Sequence, residues 1–266
     1  MEGRRVPTPL SAKNPRIALA HELLAGPGRR TQGRLLIEGF TMLAEARRGG
    51  FPPIEIFLSE DLGRRRDPQA HDLTVYEREG ATVYVVPSAA LARLSDLRTE
   101  PGVAATVALP PNDLARVVAG NGPVLLLAGV NDPGNAGTLV RSAEAFGAAG
   151  VLFGIGGADP FGPKVVRATM GSIFRIPVAT IDADAVLAAA QASGRPLIAT
   201  DLDGDDLTGA SLPANAILAI GNERRGVRDW LPRWDRAIRI PQRHGAESLN
   251  AAVAGSIVLY ECSRVK

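Results

Sequence analysis

A chain of 266 residues, 45% of them hydrophobic, is long enough for one large or two small domains, each with its own core. Its longest apolar runs, 124–130 and 251–260, fall short of the ~20 residues that cross a bilayer, and 1–9 is polar and broken by proline; the expectation is a cytoplasmic protein without a signal peptide or membrane span. A single cysteine and three histidines offer neither an internal disulfide nor the spacing of a zinc site, and a net charge of +2 does not name a partner.

Periodicity predicts a helix over Pro15–Ala25, an extended run at Arg34–Glu38, a helix over Phe40–Arg48 and a strand at Ile54–Ser59. A polar loop around Gly63–Pro68, a strand at Thr82–Val86, a short helix from Ser88 and a strand at Val103–Leu109 complete a first α/β unit, 1–110. Turn formers at Pro110–Asp113 and Asn121–Pro123 flank the short run Leu114–Val118, which marks 111–122 as a linker. Arginines bunch at Arg29, Arg30 and Arg34, at Arg47 and Arg48, and at Arg64–Arg66; such clusters suit phosphate oxygens, and equally suit solvated helix faces.

From 123 to 266 apolar strands and amphipathic helices alternate, which predicts a mostly parallel sheet covered on both faces. Strands are expected at Val124–Val130, Gly150–Phe153, Leu197–Thr200, Ile217–Ile220 and Ala237–Ile240, and helices at Gly137–Phe146, Lys164–Thr169, Ala183–Ala192 and Ser248–Ser263. In such sheets ligands sit beyond the carboxyl ends of the strands, and the unusual sequence gathers there.

Three segments carry chemistry. In Asn131–Gly147, a Pro/Gly/Asn turn runs into a helix expected to open at Gly137, with Arg141 one turn in; free N–H groups there could hold an anion, or Arg141 could be an ordinary salt-bridged helix residue. The turn lacks the Gly-x-Gly-x-x-Gly pattern of a dinucleotide site, as does Gly154–Gly157. Ile220–Val227 places Glu223 between two glycines, either to orient a ligand or simply to favour a helix start. In Ile240–Ser256, Ser248 or Glu247 could cap a helix, which leaves Asn250 without a structural reason; His244 invites a general-base reading but has no evident orienting partner.

Together and in this order, the three segments resemble the signature motifs of the SpoU (TrmH-like) family within the SPOUT methyltransferases. The likeness runs from Val124 to the C-terminus and includes Lys164–Pro177; Asn14-Pro15 and Leu36-Ile-Glu-Gly39 resemble, more loosely, the family's ribosomal-protein-like substrate-binding domain. Gln242 stands where the family often has methionine, and Thr169 where serine is common.

The resemblance implies a C-terminal SPOUT domain whose parallel sheet ends in a trefoil knot, a rare exception to unknotted chains. It further implies a homodimer with shared active sites, S-adenosylmethionine as cofactor, no metal, and a ribose 2′-hydroxyl of ribosomal or transfer RNA as methyl acceptor. Asn135, Arg141, Glu223, Ser248 and Asn250 correspond to the family's catalytic set, and Thr200, Ile220, Gly221, Asn222, Ile240, Gln242, Ser248 and Leu249 to its cofactor surround. Arg141, from the partner subunit, would act on the hydroxyl directly or through the substrate phosphate. A SPOUT-type base methyltransferase and a non-catalytic RNA-binding or ribosome-assembly protein are the alternatives.

Overall fold

Short β-branched and aromatic runs in the first unit pair into a five-stranded sheet in the computed structural model, which describes residues 8–64, 73–97, 101–209, 211–222, 225–243 and 248–264. In chain order the elements are β1 (Thr8–Pro9), α1 (Pro15–Glu22), α2 (Gly26–Gln32), β2 (Arg34–Glu38), α3 (Phe40–Arg48), β3 (Glu55–Ser59), α4 (Glu60–Arg64), α5 (Leu73–Arg78), β4 (Thr82–Val86), α6 (Ser88–Ala92) and β5 (Val103–Ala108). The strand order is β1-β4-β3-β5-β2; β3 runs parallel to β4 and antiparallel to β5. α1 starts where Asn14 accepts the Arg16 N–H and Pro15 takes the first helical position, and it stops at Glu22 because Gly26-Pro27 opens a second helix. Ile17, Leu23, Phe57, Tyr84, Leu91 and Leu94 form one core, with the Phe57 and Tyr84 rings stacked at 5.7 Å.

Four of the eight bunched arginines are consumed within this unit rather than held out for phosphates. Arg29 is buried and donates to the carbonyls of Leu23 and Leu24; Arg34 pairs with Glu55 at 2.8 Å, Arg47 grips both oxygens of Glu79, and Arg48 meets Glu45 at 3.2 Å. Arg30 makes no ion pair among the described residues, and the side chains of Arg64, Arg65 and Arg66 lie outside them.

Backbone contacts draw the division after Pro110 and assign 161–167 to the first unit; the second comprises 111–160 and 168–266. The following elements are α7 (Leu114–Ala119), β6 (Val124–Ala128), α8 (Pro133–Ala145), β7 (Gly150–Gly154), α9 (Pro163–Ala168), β8 (Val178–Ile181), α10 (Ala183–Ser193), β9 (Leu197–Asp206), β10 (Ile217–Gly221), β11 (Arg236–Arg239) and α11 (Ala251–Arg264). Six parallel strands lie in the order β11-β9-β10-β6-β7-β8. β8 has no counterpart in the sequence reading, because four residues are too short to show a period. Among the described residues no helix is long and apolar enough to cross a membrane.

The stretch 111–122, read as a linker, is held within the second unit. Asp113 caps α7 through the Arg116 N–H, Val117 is fully buried, and the buried Arg195 guanidinium donates to the carbonyls of Val118 (2.9 Å), Gly122 (2.8 Å), Asn215 (2.7 Å) and Gly120. The turn formers are there because their carbonyls converge on one cation, a long-range arrangement that local composition does not display.

In the first unit Arg167 donates to the buried Glu38 at 3.1 Å and pairs with Asp96 at 2.5 Å, while Ser95 Oγ also donates to Glu38. Burial pushes the Glu38 carboxyl above its ordinary range against the pull of Ser95 and Arg167, whereas the hydrogen bond from Arg167 holds Asp96 below its own. A carboxyl whose folded pKa is raised destabilises the fold as pH rises through that pKa. Arg167→Met should therefore cost about 3 kcal/mol at pH 8 and less at pH 5, because a carboxyl already raised by burial and stripped of its cation more readily takes up a proton as the pH falls. Urea unfolding at both pH values checks this, and an equal loss at each would refute it.

Candidate active site

The site is built on two helix starts. Asp132 Oδ1 accepts the Asn135 N–H at 2.7 Å and Pro133 follows, so α8 begins at Pro133 and not at Gly137 as the sequence reading has it. Proline in a first turn loses no intrahelical bond, and the apparent turn Asp-Pro-Gly-Asn is the helix's own N-terminus. Arg141 consequently stands in the third turn, ~12 Å along the axis, rather than one turn in. It is exposed and makes no ion pair among the described residues, so the salt-bridged reading of this arginine is not met.

The second start corrects the reading of the third motif. α11 begins at Ala251, and its cap is Asn250: Oδ1 accepts from the N–H groups of Ala252 (2.9 Å) and Val253 (3.3 Å), and the carbonyl accepts from Ala254 (2.9 Å). Neither Ser248 nor Glu247 is needed as the cap, and Asn250 has a structural reason after all. Two backbone donors fix which end of the amide is oxygen. The remaining Nδ2 then donates to Asn135 Oδ1 at 2.9 Å, tying the first motif to the third.

Between the start of α11 and residues of β9, β10 and β11 lies a cleft of about 430 Å³. Thr200, Ile220, Gly221, Asn222, Ile240, Gln242, Ser248 and Leu249 all line it. A side chain at Gly221 would overlap the backbone of Gly226, which pairs with Asn222 in an antiparallel bridge and has φ of 65°, so both glycines are required for the turn. Thr200 Oγ1 donates to the Ala219 carbonyl at 3.1 Å, and Asn222 Nδ2 to that of Gly129 at 3.3 Å. The wall mixes apolar Ile220, Ile238, Ile240 and Leu249 with polar edges, a combination suited to a nucleoside joined to an amino acid. A larger hollow of about 580 Å³ lies between α10 and 233–235 and holds none of the motif residues.

Sequence reasoning missed the charged rim. Asp201 faces the cleft and accepts from Arg228 at 2.9 and 3.3 Å; burial raises its pKa, but the bonds from Arg228 and the Asp203 backbone outweigh that and hold it low. Leu202 beside it is 74% exposed. The signal was a run of aspartates in a strand, which reads as loop unless β9 is known to continue to Asp206. Arg141, Asn135 and Asn250 do not line the cleft; Asn250 lies between the lining residues Leu249 and Ala251 and holds Asn135 by its hydrogen bond, and Arg141 does not join the group within one chain. Glu223 and His244 lie outside the described residues.

Comparison with known proteins places these elements in context. The SpoU rRNA Methylase family model matches residues 122–260, and the MRM3-like substrate binding domain matches 14–105. The chain is 31% identical to the 23S rRNA (uridine(2479)-2'-O)-methyltransferase of Streptomyces viridochromogenes, over 98% of this chain and 94% of the relative. It is 30% identical to the 23S rRNA (guanosine(2553)-2'-O)-methyltransferase RlmP of Bacillus subtilis, covering 94% and 96%. The crystal structure of the SpoU methyltransferase AviRb from Streptomyces viridochromogenes in complex with AdoMet superposes with a TM-score of 0.82 at 30% identity, covering 95% of this chain and 98% of that one.

The two roles of Asn250 separate by substitution. Asn250→Ala removes the cap and the tie to Asn135 and should cost about 1 kcal/mol, whereas Asn250→Asp keeps the cap and should cost only a few tenths. Denaturant midpoints compare them, and equal losses would mean that capping is not what Asn250 contributes to stability.

Proposed function

Because the chain belongs to the SpoU rRNA methylase family, we infer that it is an S-adenosylmethionine-dependent RNA methyltransferase acting on a ribose 2′-hydroxyl, with 23S ribosomal RNA as its substrate class. The observation that carries this reading is the convergence of Thr200, Gly221, Ile240 and Leu249 on one cleft, with Asn250, next in the chain after Leu249, bonded to Asn135 of the first motif. S-adenosylmethionine held there supplies a sulfonium methyl group. Both relatives named above modify riboses of 23S RNA, and the first unit, matched by the substrate binding domain, is the part that would hold RNA. Action on ribosomal RNA makes the cytoplasm its place of work.

The chain's own residues divide the work. A ribose hydroxyl is a poor nucleophile and must be aligned with the methyl carbon while its proton is removed. The guanidinium of Arg141 is a planar fork that can grip the phosphate beside the target ribose and set its angle of attack. Asn135 and Asn250 hold the two helix starts together, Ser248 stands at the cleft wall, and Glu223 completes the set by motif.

Arg141 reaches such a cleft in a second copy of the chain. In support, Val253 and Tyr260 on α11 are 47% and 48% exposed, Phe146 packs edge-on to Tyr260 at 5.6 Å, and Arg141 has no ion-pair partner among the described residues on the adjacent helix α8. An apolar stripe beside an unpaired cation suits an isologous dimer that shares its active sites. The return of the chain after β11 to lay α11 against α8 and β10 supports the trefoil knot of the family.

Saturating S-adenosylmethionine should raise the melting temperature, since a ligand at a hundredfold excess over its Kd adds roughly 2.7 kcal/mol. With 23S RNA the wild type should yield a 2′-O-methyl nucleoside by mass spectrometry of nuclease digests; a base-methylated product, or no cofactor binding, would overturn the reading. Arg141→Ala should abolish transfer while leaving cofactor binding and dimerisation nearly intact. Activity should return in mixed dimers of Arg141→Ala and Asn250→Ala chains, because both lesions then fall in one site; a verified mixed dimer without activity would sink the shared-site arrangement.

A further inference from the structure

Trp230 follows the glycine turn of β10, outside all three motifs, yet its indole meets the strand ends from which the first motif departs. Its Nε1–H donates to the Ile155 carbonyl at 2.9 Å. A Cβ on Gly154, the last residue of β7, would lie 2.7 Å from ring carbons Cε2 and Cζ2, so the ring occupies the space a side chain would take. A Cβ on Gly129, one residue beyond β6, would stand 3.5 to 3.8 Å from Cδ1, Cβ and Cγ of the same residue. Gly129 has φ of 72°, and its carbonyl accepts from Asn222, the neighbour of the second-motif turn. The ring is anchored behind by the Trp230 N–H to the Val227 carbonyl at 3.0 Å, with Val227 fully buried.

Resting on the methyltransferase reading above, we propose that Trp230 is a positioning residue for methyl transfer: it braces the backbone between β6 and α8 and so sets where Asn135 meets Asn250. Two routes lead from the indole to that segment. One is the closeness of the indole to Gly129, three residues before the Asp132 cap, where even a Cβ would already be in van der Waals contact with the ring. The other passes through Ile155 to the turn it opens, where the Ala158 N–H reaches the Val130 carbonyl at 2.9 Å. Both converge on 129–130, immediately ahead of the Asn131-Asp132 entry to α8; Trp230, Ile155 and Gly129 are not themselves walls of the cofactor cleft, which this segment meets through the Asn222 bond to the Gly129 carbonyl. Loss of the ring should therefore disturb alignment more than binding, because alignment is sensitive to shifts that leave ground-state contacts intact.

The test is a kcat against KM split in Trp230→Phe and Trp230→Ala, with wild type alongside. Trp230→Ala should lose about tenfold or more in kcat and Trp230→Phe an intermediate amount, while KM for 23S RNA and Kd for S-adenosylmethionine stay within about threefold. Hydrogen exchange of the amides at 130–135, measured with cofactor bound, should quicken in Trp230→Ala, a readout independent of turnover. Unchanged kcat in the folded Ala variant, unchanged exchange, a parallel loss of cofactor affinity, or failure of both variants to fold would each overturn the proposal. A wild type that binds cofactor but transfers no methyl would instead sink the functional reading, and the exchange comparison would still report whether the brace exists.

Discussion

The docking of α11 is the constraint from which the catalytic face follows. Its buried side, Ala251, Ala252, Gly255, Val258, Leu259 and Cys262, packs against α8 and β10. Burial of Val258 and Leu259 alone contributes roughly 1.5 to 3 kcal/mol each. A side chain at Gly255 would collide with Leu139 and crowd Ile220, so the helix can approach this closely only there. Ser142 and Ser256 meet at 2.7 Å, and because Ser256 donates to Ala252, the proton between them comes from Ser142. With α11 seated in this way, Gln242, Ser248 and Leu249 become walls of the cleft.

Polar groups at the candidate site have structural duties of their own. Asp132 and Asn250 cap helices, which is ordinary structural work, and the same geometry points the Asn250 amide at Asn135. Arg141 carries no comparable structural duty, being exposed and unpaired among the described residues, while Arg195, Arg167, Arg29 and Arg175 are all bound within the chain. Arg141 thus differs from those arginines in being exposed with no ion pair among the described residues.

The signature segments were legible because each interrupts an apolar strand with residues that have no place in a core. Asn131–Gly137, Gly221–Gly226 and Pro241–Asn250 stand out against runs such as Val124–Ala128 and Ile217–Ile220 by residue type alone. Helix starts were less legible, since Asp-Pro and Ser-Leu-Asn read equally as turns or as caps, and only hydrogen-bond partners distinguish them. The charged pair Asp201–Arg228 was invisible for a different reason: its members are far apart in sequence and meet only when β9 runs on to Asp206.

What the sequence determined by itself was local and periodic: four of the first unit's five strands, the two-residue β1 being too short to show a period, the regular alternation after Val124, the order of the three motifs and, through them, the family. Tertiary structure decided which of those residues share a cleft, because parallel strands joined by helices bring distant carboxyl ends together in an order, β11-β9-β10-β6-β7-β8, that no period encodes. It also decided which arginines are spent on structure, and that the stretch 111–122 is held by Arg195 rather than left as a tether. Pairings of this kind depend on contacts between residues some 75 positions apart, and a single sequence states the residues without stating the contacts.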